Sequence, residues 1–186
     1  MQPVASMLWH RLDLPGHDAC RLDRHGDAWQ LDGTALFRQA DARIAQLHYR
    51  VRCNSHWHTQ WSTVRGWLGG SVVDWSAVRG AHGEWRFNDV AVPEVAHCVD
   101  LDLGFTPATN LIALRRLHLQ PGEAADAPAA WLDLEEGGLN LLMQRYERRS
   151  DTGYWYTAER FDYAALLDVS ADGFVRDYPG LWLAER

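Results

Sequence analysis

Period-two alternation of apolar and polar residues dominates the chain. In residues 47–53, "LHYRVRC", Leu47, Tyr49, Val51 and Cys53 fall on one face and His48, Arg50 and Arg52 on the other. That is the pattern of a half-buried strand. The stretches "AWQLDGTALF", "SVVDWSAV", "AHCVDLDL", "FDYAALLDV" and "GFVRDY" read the same way, with HG, DG, GG, PG and DTG turns between them. "NLIALRRLHL" also reads as a strand, which sends Arg115 and Arg116 to opposite faces. Short strands with such punctuation predict an all-β protein, an antiparallel rolled sheet or barrel with little helix.

Residues 138–149, "GLNLLMQRYERR", fit two periods. Leu139, Leu142, Met143 and Tyr146 recur at helical spacing, yet the segment also alternates. An internal comparison favours a strand over 139–149. "GEWRF" (83–87) precedes "AHCVDLDLGFTP", and "GYWYT" (153–157) precedes "YAALLDVSADGFVRDYP". Each unit runs Gly-x-Trp, an alternating stretch with an Asp, then Gly-Phe and Pro. This pattern predicts two related strand-rich halves meeting near 118–130, with "PGEAADAPAA" (121–130) as a surface loop. The halves are expected to share one core, so residues 1–186 form a single domain.

Composition narrows the function. With 47% hydrophobic and 23% charged residues, the chain is expected to fold as a globular domain rather than remain disordered. A net charge of -7 argues against a nucleic-acid partner. All 18 basic residues are arginine, spread along the chain. The N-terminal "MQPVASMLWHRLDLPG" lacks a basic start followed by an apolar run, so no secretion signal is expected. Nor does any stretch approach the roughly 18 apolar residues of a membrane helix. Cys20, Cys53 and Cys98 are widely spaced and form no CxxC, which fits buried thiols in a reducing, cytoplasmic compartment.

The least ordinary stretch is "CVDLDLGFTPATN" (98–110). Asp100 and Asp102 share a strand face, about 6.5–7 Å apart. That spacing overlaps the roughly 6.5–9.5 Å of an inverting glycosidase pair. It equally fits a polar pocket lining or a solvated strand row. His56 and His58 flank Trp57 on one strand face and would offer a metal two ligands, one short of a catalytic zinc site. Exposed or hydrogen-bonded strand histidines are the preferred reading, and no metal is expected. There is no Gly-x-Ser-x-Gly elbow, and "GWLGGS" lacks the Lys-Ser/Thr of a phosphate loop, so no cofactor is expected. Ten tryptophans, five of them between Trp57 and Trp85, fit mainly a core and in part a cavity wall. Of Arg115 and Arg116, one faces inward on this reading and pairs with the carboxylates.

"DLDLGFTPATN" followed by "LRRL", then "QRYER", then "DGFVRDYPGLW" resembles the bacterial putative glycolipid-binding family, once listed as a domain of unknown function. The resemblance runs in order from Trp9 to Trp182. One departure is Ala113, where the family pattern has a proline before the paired arginines. The resemblance implies one mostly β, barrel-like or rolled sheet of two related halves, similar to the periplasmic carriers that shuttle lipoproteins. It also implies a lipid or glycolipid cavity without assigned catalytic residues. By motif position it marks Asp100, Asp102, Thr106, Thr109, Asn110, Arg115, Arg116, Gln144, Tyr146, Asp177 and Tyr178 as ligand-binding.

The expected function is therefore non-catalytic binding of an amphipathic glycolipid or acyl compound in a β-barrel-like cavity. The alternative from another class is a glycoside or ester hydrolase using Asp100 and Asp102. A module with a solid, side-chain-filled interior is the third reading.

Overall fold

The computed structural model describes residues 1–185. Six long strands open the chain, each antiparallel to the next: β1 (Gln2–Arg11), β2 (Gly16–His25), β3 (Ala28–Arg38), β4 (Ile44–Cys53), β5 (Thr59–Leu68) and β6 (Ser71–Arg79). Short strands β7 (Trp85–Phe87) and β8 (Val90–Ala91) finish this edge. The chain then leaves the sheet through β9 (Asp100–Leu103) and helix α1 (Asn110–Leu117). There follow β10 (Ala124–Asp126), β11 (Ala129–Asp133), β12 (Gly138–Leu142) and β13 (Gln144–Arg148). The last strands are β14 (Gly153–Ala158), β15 (Tyr163–Val169), β16 (Val175–Tyr178) and β17 (Trp182–Ala184).

β17 pairs with β1, with Trp9 opposite Ala184 and Arg11 opposite Trp182. The two ends of the chain are thereby joined in one 14-stranded antiparallel sheet, ordered β10-β13-β14-β15-β16-β17-β1-β2-β3-β4-β5-β6-β7-β8. Its terminal strands β10 and β8 do not pair, so the sheet is unclosed; it curls nonetheless, since residues from β1 through β7 and from β17 meet in one core. A second sheet of three strands, β12-β11-β9, has β9 and β11 parallel. The all-β expectation holds, with one α-helix of 8 residues among the described residues.

Alternation explains which face is buried. On β4, Leu47, Tyr49, Val51 and Cys53 are buried as their period requires. Gly33 on β3 stands opposite Tyr49, and a Cβ there would overlap the phenol ring. The missing side chain lets that ring lie across β3. A curled sheet this wide cannot fill its own concavity. Segment 98–112 fills it: Cys98, Leu101, Leu103, Phe105, Ala108, Leu111 and Ile112 join the same core as Trp9, Leu22, Leu47 and Trp85.

Two local readings are corrected, and the strand expected over 139–149 is present with a break. "NLIALRRLHL" is largely helix α1, because a continuous buried apolar run fits a strand or a helix equally. Its start signal lies upstream, where the Thr106 hydroxyl accepts from the Ala108 N–H (3.0 Å) and Pro107 opens a 3-10 turn into α1. Residues 138–149 are extended, but Met143 breaks them into β12 and β13, which belong to different sheets. The segment 121–130 is not all surface loop: β10 pairs with β13, and Ala129 and Ala130 are fully buried. The compared units also differ in setting. β14 pairs with β15, whereas β7 pairs with β6 and β8 and β9 lies in the small sheet.

Candidate functional site: an aromatic cavity beside β9

β9 alternates between two environments. Leu101 and Leu103 enter the main core, while Asp100 and Asp102 share the other face. α1 brings Arg116 to Asp100, donating from Nε to Oδ1 and from Nη2 to Oδ2, both at 2.7 Å. Asp100 is only 1% exposed, so the carboxylate side of this bidentate pair is shielded from water while Arg116 keeps some exposure. Asp102 is half-buried and makes no side-chain hydrogen bond to any described residue.

Asp102 instead lines a cavity of about 290 Å³. Trp131, Tyr156, Phe161, Tyr163, Tyr178 and Trp182 supply aromatic wall, Leu142 and Leu181 aliphatic wall, and Thr106 and Asn110 neutral polar groups. Trp131 stands beside Asp102 because β11 runs parallel to β9 in that register. Gly104 gives the indole room, since a Cβ there would overlap Trp131. The tyrosines come from neighbouring strands and touch ring to ring: Tyr156–Tyr178 centroids are 5.7 Å apart and Tyr163–Tyr178 5.4 Å. Burial, then the charge of Asp100, pushes the Asp102 carboxyl up to about 7.

Behind this wall the polar groups are mutually satisfied. Asn110 Nδ2 donates to the Tyr146 hydroxyl (2.8 Å), and the Tyr156 hydroxyl donates to Gln144 Oε1 (2.9 Å). Tyr163 donates to the Pro179 carbonyl at 2.6 Å. Burial holds the phenols of Tyr146, Tyr156 and Tyr178 well above their ordinary range, and the charge of Asp102 adds to it. A second buried acid lies nearby. Asp18 accepts from Tyr49 (2.8 Å) and from Thr106, a cavity-wall residue, while its other oxygen has no partner among the described residues. Burial raises Asp18 to about 7 against the pull of those two hydrogen bonds.

The cavity adjoins a polar groove of about 400 Å³ through shared Gly104, Trp131 and Phe161. Arg11, Gln39, Asp133, Glu135, Glu136 and Arg160 line that groove, over an apolar floor including Phe37 and Phe105. The Arg160 guanidinium lies 4.9 Å from the Trp131 ring centroid. Arg11 and Phe37 also border an open hollow of about 750 Å³ with Leu36 and Ile44. The open hollow contains none of the residues marked from the sequence.

Residues 6–184 match the model of the family described as "Putative glycolipid-binding". The chain belongs to that family. It is also similar to the crystal structure of a DUF1089 family protein from Pseudomonas aeruginosa. That likeness has a TM-score of 0.79 and 25% identity, and covers 98% of this chain and 93% of that one. No curated protein matches the chain.

Against this family background, the marked residues divide by place. Asp102, Thr106, Asn110 and Tyr178 line the cavity. Gln144 and Tyr146 form its second layer, and Asp100 with Arg116 stands at the other end of β9. Thr109 serves the backbone, its hydroxyl accepting from the Leu103 N–H at 3.1 Å. Arg115 lies away from the cavity and donates to the carbonyls of Ala171 and Asp172. Asp177 lies outside the cavity wall, though its charge helps burial push Tyr163 up to about 12. Only one arginine meets the carboxylates, as expected, but helix rather than strand geometry separates the pair.

His56 and His58 are on the turn after β4, not on a strand, with ring centroids 6.2 Å apart. No group of three His, Cys, Asp or Glu side chains among the described residues is placed to hold a metal. Sequence reading missed Trp131, Tyr156, Phe161, Tyr163 and Trp182. Alternation along "GYWYTA" carried a usable signal for Tyr156, since Tyr154, Tyr156 and Ala158 share its buried face.

Proposed function

We propose that the chain binds a glycolipid or related amphipathic molecule without transforming it. One observation carries this reading: the aromatic cavity, with its unpartnered Asp102, adjoins a groove through Gly104, Trp131 and Phe161. The cavity's 290 Å³ lies at the lower edge of the roughly 300–1,000 Å³ usual for small-molecule pockets, which fits one end of a ligand. Ring faces with Asp102, Asn110 and Thr106 suit a hydroxyl-bearing head group. An aliphatic tail would leave past Trp131 and Phe161 into the groove.

The two-carboxylate hydrolase finds less support. Asp100 is buried and engaged at both oxygens by Arg116, which leaves it unsuited to activating water. Three free, buried cysteines support placing the binder in a reducing compartment such as the cytoplasm. Among the described residues, no helix is long and apolar enough to cross a membrane.

The test is lipid extraction and mass spectrometry of protein purified from its own host. A stoichiometric amphiphile is expected, lost in Trp131→Ala. Protein that is repeatedly empty across growth conditions overturns the reading.

A further inference from the structure

We propose that the cavity is built for a head group bearing a cationic nitrogen, such as an amino sugar or an alkylammonium, with Asp102 as its counter-ion. This rests on the binding reading above and names the ligand class. Among the described residues no arginine or histidine lines the cavity, while one carboxyl does. Arg116, the cation that α1 brings to β9, is already committed to Asp100, and Arg160 lies against the Trp131 ring on the groove side. Tyr156, Tyr163, Tyr178, Trp131 and Trp182 surround the same space, and aromatic faces attract an ammonium group. A bound cation would relieve both the desolvation of Asp102 and its repulsion by Asp100. A phosphate or sulfate head group would meet that carboxyl without a compensating charge.

Three probes of equal chain length separate the readings by calorimetry on the full chain: octylammonium, 1-octanol and octyl β-D-glucoside. Octylammonium should bind at least tenfold tighter than 1-octanol at pH 8. In Asp102→Asn, and in Asp102→Leu should the first variant fold poorly, that preference should fall to near one. The charged and titratable groups around Asp102 are Asp100 with Arg116, the phenols of Tyr146, Tyr156, Tyr163 and Tyr178, and, behind Thr106, Asp18. Asp18 is raised into the same range, so the response due to Asp102 is the part that Asp102→Asn removes. Arg11 and Arg160 stand on the groove side. The phenols ionise far above neutrality, so octylammonium affinity should rise between pH 6 and pH 8 as Asp102 ionises, then hold. Equal binding of octylammonium and 1-octanol overturns the inference, as does a preference that survives both substitutions. Octyl glucoside binding without an ammonium preference would leave the binding reading standing and remove this one. Failure of all three probes counts against both.

Discussion

At one end of β9, Asp100 is enclosed and grips Arg116 through two 2.7 Å hydrogen bonds; two residues on, Asp102 faces a cavity without a partner. The residue type, strand and face are the same. What differs is the element packed against each. α1 delivers a guanidinium to the first, and β14, β15 and β16 deliver tyrosines to the second. The first arrangement fastens a helix inside the curled sheet. The second leaves a half-buried, unpartnered acid for something outside the chain to satisfy. A carboxylate on a strand therefore carries no role of its own, and its tertiary neighbours assign one.

The largest effect should come from unfastening the closed end. Arg116→Leu strands a buried Asp100, and breaking such a pair costs roughly 3–5 kcal/mol. Urea unfolding should show that loss. An unchanged midpoint would mean that Asp100 is reached by water, and the contrast with Asp102 would collapse.

At the open end the sign reverses. A carboxyl raised to about 7 binds a proton in the folded protein that it has released in the unfolded chain, over the interval from about pH 4 to pH 7. Its contribution to stability thus falls as pH rises through that interval and is at its lowest above it. Moving a carboxyl that far corresponds to about 4 kcal/mol, less whatever water in the cavity recovers. Asp102→Asn should accordingly be more stable than the parent at pH 8, with little difference at pH 4. Asp18, raised in the same direction, should keep part of the pH dependence in the variant. Parallel stability–pH curves for parent and variant would show that Asp102 is not desolvated.

A smaller loss should follow from the second layer. Tyr156→Phe removes the 2.9 Å hydrogen bond to Gln144, whose side chain is buried and keeps only a 3.5 Å contact from Tyr146. About 0.5–1.5 kcal/mol is expected, read by urea unfolding. A loss near zero would mean that Gln144 finds another donor.

How much of this contrast was legible depends on the range of the contacts. Residues 47–53 showed their buried face because period two is local, and Asp18, Cys20 and Leu22 share the inner face of β2 by the same rule. The partner of Asp18 was not legible, since Tyr49 reaches it across Gly33 from two strands away. The same limit hid the cavity. Trp131 meets Asp102 through a parallel pairing of β9 with β11 that no hairpin signal announces. α1 was misread because "LIAL" is apolar at every position, so neither period stands out. Met143 separates two strands in "GLNLLMQRYERR" without interrupting the alternation that made them look like one. The family motifs located Asp102, Asn110 and Tyr178 but gave Arg115 the same standing as Arg116.

Arg115 therefore provides the finest test of the comparison. It sits one residue from Arg116, but on a helix that step turns the side chain about a quarter of the way round. Arg116 meets a buried carboxylate, whereas Arg115 reaches the carbonyls of Ala171 (3.3 Å) and Asp172 (3.0 and 2.6 Å) before Gly173. Those hydrogen bonds are exposed, and water replaces them when the guanidinium is removed. Arg115→Leu should cost under about 1 kcal/mol, several-fold less than Arg116→Leu. It should leave the amphiphile content of the purified protein unaltered, because Arg115 borders a different hollow from Asp102. Matched stability losses in the two arginine variants, or an emptied cavity in Arg115→Leu, would mean that the pair acts as one unit and that the division along β9 is drawn in the wrong place.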